Sequence, residues 1–234
     1  MIAVPDAQAF RRATQVLQTT VAAAGAADEY HNCLTLKVIF GLELFTCEPV
    51  WNMTQVLRSQ FELTHHLGGE PLPLLSARGH FRRRRVPLVP VLLPDLSRVL
   101  NPRGQREARA FGWRECGRFV PLHLETISRR WQRLGLFDVW CRAPELFLLD
   151  VCPALDGLAL DRVAQKPTDA DIQAWADFRQ AAMFLASELG WAPSPEFAGA
   201  GLPRPNVQMG EHGIFALGFR ASEVGDLPTA VARW

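Results

Sequence analysis

The sequence is poor in lysine and nearly balanced in charge. Of its 25 basic residues only Lys37 and Lys166 are lysines, and 24 acidic residues leave a net charge of +1 over 234 residues. This balance excludes a protein that binds polyanions over its whole surface. A GC-rich coding sequence would explain the preference for arginine without any function.

Targeting sequences and long apolar runs are also missing. The N-terminus, residues 1–6, has no basic region followed by an apolar core, so it is not typical of a signal peptide. The apolar run over residues 34–45 is interrupted by Lys37 and Glu43 and is too short to span a bilayer. We therefore expect a soluble protein, or one attached peripherally to a membrane.

Metal-binding and disulfide patterns are missing as well. The five cysteines are an odd number at wide spacings, there is no Cys-x-x-Cys, and the adjacent His65 and His66 have no partner at metal-ligand spacing. A secreted disulfide framework and a zinc module are therefore excluded, and we expect reduced cysteines, no metal and no cofactor. The cysteines are Cys33, Cys47, Cys116, Cys141 and Cys152.

Catalytic motifs are scarce. There is no Gly-x-Ser-x-Gly, and the glycines at 199–201 lack the Lys and Ser/Thr of a phosphate-binding loop. The best enzyme candidate is Cys116 with His123, which lie close in sequence and could form a nucleophile and its base. A core cysteine and a surface histidine explain the same two residues, and we expect no catalytic residue.

Hydrophobic periodicity predicts a mainly helical α+β fold with a small antiparallel sheet, in a single domain over residues 1–234. Helices are predicted over residues 6–24, 50–67, 103–118, 122–134 and 169–190. The last of them begins with Thr168 and Asp171 as a capping box and ends at Gly190. Strands are predicted over residues 34–40, 136–141, 145–151 and 213–220, a loop over 191–206, and a loose C-terminal tail over 222–234.

The most distinctive stretch is residues 70–95. It holds Leu-Pro-Leu-Leu at 72–75, four arginines, and three further prolines among apolar residues at 87–94. Proline pre-orders the chain and leucines can anchor in a partner's groove, so this pattern is typical of a docking segment. Leu-Pro-Leu-Leu also fits a helix start with Pro73 at the first helical position. The arginines, which fit either a solvated face or an RNA-binding patch, are Arg82, Arg83, Arg84 and Arg85.

The docking segment resembles a known viral motif. Leu72-Pro73-Leu74-Leu75, followed after eleven residues by Pro87, is similar to the minimal F-box-like motif of the polerovirus and enamovirus suppressors of RNA silencing. These suppressors are the proteins of the first open reading frame. Their pattern is Leu-Pro, two variable residues, Leu or Ile, a spacer and then Pro. Here Ser76 occupies the fifth position, and Leu75 stands one residue early.

A second segment near the C-terminus supports the resemblance. Residues 210–220, Gly-Glu-His-Gly-Ile-Phe-Ala-Leu-Gly-Phe-Arg, are similar to the family's Gly-Glu-Asp-Gly followed by an aromatic strand, with His212 in place of the acid. The resemblance implies that these residues support the fold or a surface for Argonaute. The matching residues are Gly210, Gly213, Phe215, Phe219 and Arg220.

The resemblance implies an adaptor and not an enzyme. Such a protein engages the plant Skp subunit of an SCF-type ubiquitin ligase and causes degradation of Argonaute, in the host cytoplasm, in the nucleus or at membrane surfaces. Leu72, Pro73, Leu75 and Pro87 would contact Skp, and a scarcity of lysines would suit a protein beside a ubiquitin ligase. Direct RNA binding through residues 82–85 is the alternative function, followed by an enzyme built on the Cys116 and His123 pair.

Overall fold

The fold is mainly helical α+β with small antiparallel sheets, as the sequence predicts. The computed structural model describes residues 7–46, 50–64, 66–67, 70–78, 83–100, 108–141, 168–173, 175–176, 186, 190–191, 207–209 and 215–217. Within this part of the chain, no helix is both long and apolar enough to cross a membrane.

Two long helices open the described chain. Helix α1 spans Ala7–Ala23 and confirms the first predicted helix, with Phe10, Ala13 and Leu17 buried. Helix α2 spans Ala27–Thr46 and packs against α1, partly through the stacked rings of Phe10 and Phe40, whose centroids are 6.3 Å apart.

The predicted strand at residues 34–40 is wrong, because these residues form the middle of α2. All of them except Lys37 are buried, so this part of the helix is apolar around most of its circumference. A buried helix of this kind loses the 3.6-residue period that would distinguish it from a buried strand. Its β-branched residues then favour the wrong prediction.

The predicted helix over residues 50–67 is also wrong beyond its first turn. Helix α3 is Val50–Met53, a 3₁₀ turn follows at Arg58–Gln60, and strands β1 (Phe61–Glu62) and β2 (His66–Leu67) replace the rest. Tertiary partners hold this stretch in place: Leu57 forms a β-bridge with Arg109, and the rings of Phe61 and Phe111 pack edge to face with their centroids 5.6 Å apart.

Five more strands and a helix follow. They are β3 (Glu70–Pro71), β4 (Leu74–Arg78), β5 (Arg83–Pro87), a 3₁₀ turn at Pro90–Leu92, helix α4 (Leu93–Val99), β6 (Gly112–Glu115) and β7 (Arg118–Pro121). All pairings are antiparallel: β1-β4-β5 form a three-stranded sheet, and β2-β3 and β6-β7 form two-stranded sheets. The predicted helix over 103–118 is therefore wrong for residues 108–118, and residues 103–107 lie outside the described chain.

The remaining elements confirm one prediction and correct another. Helix α5 (Leu124–Arg133) confirms the helix expected over 122–134; Ile127 and Trp131 are buried, and Leu124 is exposed. Residues 136–141, predicted as a strand, contain helix α6 (Phe137–Cys141), since a short apolar run does not separate strand from helix. The predicted strand at 145–151 lies outside the described residues. Strands β8 (Val207–Met209) and β9 (Phe215–Leu217) pair antiparallel.

The capping box at Thr168 is confirmed. The Thr168 N–H donates to Asp171 Oδ2 over 2.9 Å, and the Asp171 N–H donates to Thr168 Oγ1 over 3.2 Å. The chain is helical at residues 169–173, 175–176 and 186. Gly190 has a φ of +77°, the conformation expected of a glycine at a helix C-terminus, and the backbone N–H of Trp191 donates to the Ala186 carbonyl over 2.8 Å.

One cluster of buried apolar residues connects α1, α2, the β1-β4-β5 sheet, α4 and α5 with Trp175 and Trp191. The expectation of a single domain stays a prediction. Residues 192–206 of the loop predicted over 191–206, and the tail predicted over 222–234, lie outside the described residues.

Candidate functional site

The two parts of the Leu-Pro…Pro motif meet at the base of one β-hairpin, formed by β4 and β5 and called here the 74–87 hairpin. Leu74 lies opposite Pro87 in the ladder, and Arg78 lies opposite Arg83 at its far end. Just outside the ladder, the Leu88 N–H donates to the Pro73 carbonyl over 2.8 Å. The eleven residues that separate Leu75 from Pro87 are therefore most of a hairpin, and the motif is one structural unit.

All four motif residues assigned to Skp contact are buried. Leu72 is 2% exposed, Leu75 is fully covered, and Pro73 and Pro87 are buried as well. The helix start considered for residues 72–75 is wrong, because β4 begins at Leu74 and pairs on both sides, with β1 and with β5. The motif thus supplies core side chains at the foot of the hairpin.

The burial has an energetic consequence for docking. Freeing this segment from the core would expose five apolar side chains that are now buried, at a cost of about 1.5–3 kcal/mol each. The sum is comparable to the whole stability of a typical domain. A partner would therefore bind the folded hairpin more readily than it would pull the motif residues out of the core. The five residues are Leu72, Leu74, Leu75, Leu88 and Val89.

Polar contacts from the preceding segment hold β4. The Gln60 side chain accepts the Leu57 N–H over 2.8 Å and donates to the Ser76 carbonyl. The Ser76 hydroxyl donates to Glu62 Oε1 over 3.0 Å. The inner strand is thus fixed on one side by β1, and β5 forms the edge of the described sheet.

Three of the four arginines predicted as an RNA-binding patch lie in β5. Arg83, Arg84 and Arg85 are opposite Arg78, Ala77 and Ser76 in the ladder. Arg82 lies outside the described residues. The strand register therefore places four arginines, Arg78 and Arg83 to Arg85, near one another in the far part of the hairpin. RNA binding stays a prediction.

The C-terminal motif is described only at its centre. Phe215 lies in β9 opposite Met209 of β8, which confirms the late strand expected within residues 213–220. The other matching residues, Gly210, Gly213, Phe219 and Arg220, lie outside the described residues.

The structure does not bring Cys116 and His123 together. Cys116 is exposed in the turn between β6 and β7, with φ of +51°, next to the pair formed by Glu115 and Arg118. His123 is exposed beyond the other end of this hairpin, where it precedes α5. Strand pairing separates the two residues by the length of the hairpin, so they form no nucleophile–base pair. Among the described residues, no group of three or more His, Cys, Asp or Glu side chains could hold a metal ion.

Sequence reasoning missed a polar junction between α2 and the β6–β7 hairpin. The Asn32 side chain donates to the Arg114 carbonyl over 3.0 Å and accepts the Arg114 N–H over 2.7 Å, as a neighbouring strand would. The Asp28 carboxylate accepts the Gly117 N–H over 2.8 Å. The sequence does show a polar pair, His31 and Asn32, directly before an apolar run. Nothing near these two residues indicates that their hydrogen-bond partners lie in β6.

His31 belongs to the same junction. Its Nε2 lies 3.1 Å from the Gly112 carbonyl oxygen, so a neutral ring donates there from Nε2. Burial lowers the pKa of His31 from its ordinary value of 6.5, and the bond to Gly112 opposes this shift only in part. Burial has the opposite effect on the neighbouring thiol and raises the pKa of Cys33. Both groups are therefore held in their neutral forms.

No protein-family model matches the chain. No curated protein sequence matches it either.

Proposed function

We propose that this protein is an adaptor that brings Argonaute to a host SCF-type ubiquitin ligase and thereby suppresses RNA silencing in the host cytoplasm. The proposal comes from the resemblance of two segments to the polerovirus and enamovirus suppressors. The observation that supports it best is the hydrogen bond from the Leu88 N–H to the Pro73 carbonyl, because it joins the two parts of the motif in one unit. The Argonaute side rests on the resemblance alone.

In this proposal the 74–87 hairpin is the docking element, and the buried motif residues hold it in position. Two features support this arrangement. Leu72 and Leu75 are too deeply buried to reach a partner without disrupting the core. Strand β5 is at the edge of the described sheet, and an edge strand can pair its backbone with a partner.

A matched pair of variants tests this role of the motif. Leu72 is a fixed position of the motif and Leu74 is a variable one, yet both are almost fully buried in the same segment. We expect Leu72→Ala and Leu74→Ala each to lower the free energy of unfolding by about 2–5 kcal/mol. We expect both proteins, where circular dichroism shows that they are folded, to bind a purified plant Skp subunit like the wild type.

The outcomes separate three accounts. If Leu72→Ala abolishes Skp binding while an equally destabilised Leu74→Ala retains it, the Leu72 side chain contacts the partner and the hairpin account is wrong. If the wild type does not bind Skp at all, the adaptor proposal fails. Equal binding by both folded variants supports a positioning role for the motif.

Direct RNA binding is a second candidate, favoured by the four arginines that the β4–β5 register gathers, Arg78 and Arg83 to Arg85. If it holds, affinity for a small RNA duplex falls steeply with salt concentration, and replacing Arg83, Arg84 and Arg85 by Gln flattens that dependence. A filter-binding titration at several salt concentrations measures both effects. Affinity that does not respond to salt would eliminate this candidate.

A further inference from the structure

Lys37, one of the two lysines in the sequence, has an enclosed ammonium group. Its Nζ lies 2.7 Å from Asp95 Oδ2 on α4 and 5.1 Å from the ring centroid of Trp191. The Lys37 side chain is 14% exposed and that of Asp95 is 18% exposed. An ammonium group that is ion-paired and packed against an indole ring offers little access to a reagent that must reach the nitrogen.

Close helix packing creates this enclosure. Gly41 lies one turn after Lys37 on α2, and a Cβ atom there would come within 2.5 Å of Leu92 Cδ2 and 2.7 Å of Trp191 Cη2. The missing side chain lets the start of α4 and Trp191 approach α2, and Asp95 follows Leu92 by about one turn.

Backbone hydrogen bonds also fix the position of the chain at Trp191, the residue that carries this indole ring. The backbone N–H of Trp191 donates to the Ala186 carbonyl over 2.8 Å. The preceding carbonyl, that of Gly190, accepts a hydrogen bond from the Gln18 side chain of α1 over 2.9 Å. Because helices α1, α2 and α4 all contribute, the Lys37 nitrogen becomes accessible only if this junction opens locally.

We infer that the fold withholds Lys37 from ubiquitin transfer, so that Lys166 is the one other lysine of the 234-residue sequence that could accept ubiquitin. The inference rests on the proposed function, in which the protein works beside a ubiquitin ligase. An adaptor with few accessible amines passes ubiquitin to its cargo and not to itself. The arginines supply positive charge without serving as acceptors, since a guanidinium stays protonated and is a poor nucleophile.

The chemistry explains why enclosure matters. Ubiquitin arrives as a thioester on the cysteine of a conjugating enzyme. The lysine ammonium first loses a proton, and the free amine attacks the thioester carbonyl and forms an isopeptide bond. The carbon–sulfur bond breaks, the thiolate leaves and takes up a proton, and the nitrogen releases its second proton to solvent. Lys37 can begin this sequence only after it leaves Asp95 and Trp191.

Chemical acetylation tests the enclosure without any ligase. In a Lys166→Arg protein, Lys37 is the only lysine left, and peptide mass spectrometry measures its reaction with N-hydroxysulfosuccinimide acetate. We expect acetylation at least about tenfold slower in the folded protein than in the guanidinium-unfolded protein, because reaction needs local opening. Adding Asp95→Asn should speed the reaction in the folded state.

Arg98→Gln is the matched control for the Asp95→Asn substitution. The Arg98 guanidinium lies 3.9 Å from Asp95 Oδ1, so this variant removes the other cation near Asp95 and leaves the pair with Lys37. We expect Arg98→Gln to leave the Lys37 rate unchanged, with circular dichroism confirming the fold of each protein. Equal rates of acetylation in the folded and unfolded Lys166→Arg protein would overturn the inference even if Asp95→Asn does not fold.

A second test of Lys37 uses a purified conjugating enzyme charged with ubiquitin in place of the acetylating reagent. We expect no ubiquitin remnant on Lys37 in the folded Lys166→Arg protein, and a remnant on Lys37 there would also overturn the inference. Failure of the adaptor proposal is distinct, because it is measured as absent Skp binding and does not change the acetylation rates.

Discussion

At the scale of single residues, His31 makes the stability of the protein depend on pH. Its folded-state pKa is lowered by burial, so the unfolded chain binds a proton at His31 before the folded protein does. The contribution of neutral His31 to the free energy of unfolding is fully present above the ordinary histidine pKa of about 6.5. It is lost as the pH falls below that value toward the lowered pKa of the folded state.

We therefore expect the free energy of unfolding to decrease between pH 7.5 and pH 5.5 more in the wild type than in His31→Gln. A glutamine amide can still donate to the Gly112 carbonyl but does not titrate in this range. Urea denaturation at the two pH values measures the difference. An equal decrease in both proteins would mean that His31 has no part in it.

Cys116 occupies a backbone conformation that suits other residues better. Cys116 and Gly117 form a two-residue hairpin loop with φ of +51° and +74°, the pattern of a type I′ turn, in which Asn-Gly is preferred. We expect Cys116→Asn to raise the free energy of unfolding by about 1 kcal/mol, because asparagine tolerates this region at lower cost.

Cys116→Ser is the control for this prediction. It removes the thiol but gains none of asparagine's tolerance for positive φ, so we expect no comparable stabilisation. Thermal unfolding of the three proteins under reducing conditions measures the effect. Equal stabilisation by serine and asparagine would assign the gain to loss of the thiol and not to the turn.

At the residue scale, contacts between residues close in sequence could be predicted, and contacts between distant residues could not. The capping box of Thr168 and Asp171 was predicted correctly because the partners are three positions apart and the chemistry is local. The Asn32 contact with Arg114 spans 82 positions, and nothing near Asn32 in the sequence specifies it. Side chains that substitute for a neighbouring strand become recognisable only when the tertiary fold is known.

At the scale of elements, α2 is the helix around which the described core is built. It packs against α1, α4 and β6, and this burial on several sides erased the periodicity that a helix prediction needs. Gly41 in its middle would ordinarily weaken a helix by about 1 kcal/mol relative to alanine. The close approach of α4 and Trp191 explains why glycine stands there.

We expect Gly41→Ala to destabilise the protein despite its better helix propensity. The new Cβ would meet Leu92 and Trp191 well inside van der Waals contact, and overpacking of this kind costs about 1–3 kcal/mol. Gly25→Ala is the matched control, since a Cβ there has open space. Urea denaturation should show a loss only for Gly41→Ala; a gain in that variant would show that α4 moves away at no cost.

The 74–87 hairpin shows where pattern reasoning stops. Proline beside leucine suits a helix start or a docking segment, and the sequence alone leaves both open. The choice is made by β1, whose Phe61 lies opposite Leu75, and by the Leu88 hydrogen bond to Pro73. Both contacts come from residues outside the motif.

At the scale of the whole molecule, the sequence was sufficient for the fold class but not for the arrangement of elements. Composition and surface-helix periodicity predict a mainly helical α+β protein, and α1 and α5 confirm it. Strands β1, β2 and β6 lie in segments that were predicted as helix. Most of the sheets are local hairpins, but the apolar residues in these segments did not show the two-residue alternation that would have indicated a strand. The proposed function rests on a resemblance of two short segments, and the structure adds that the first of them is the buried foot of a hairpin.

The most direct test of the hairpin as docking element removes its far part and keeps its foot. Replacing residues 76–85 by Asn-Gly joins Leu75 to Val86, which are already opposite each other, through a two-residue turn. Leu72, Pro73, Leu75 and Pro87 all remain. Calorimetric titration with a purified plant Skp subunit then compares this variant with the wild type. We expect the wild type to bind, and the folded variant to lose binding. Wild-type affinity in the shortened variant would contradict the account, because the motif or another surface would then make the contact.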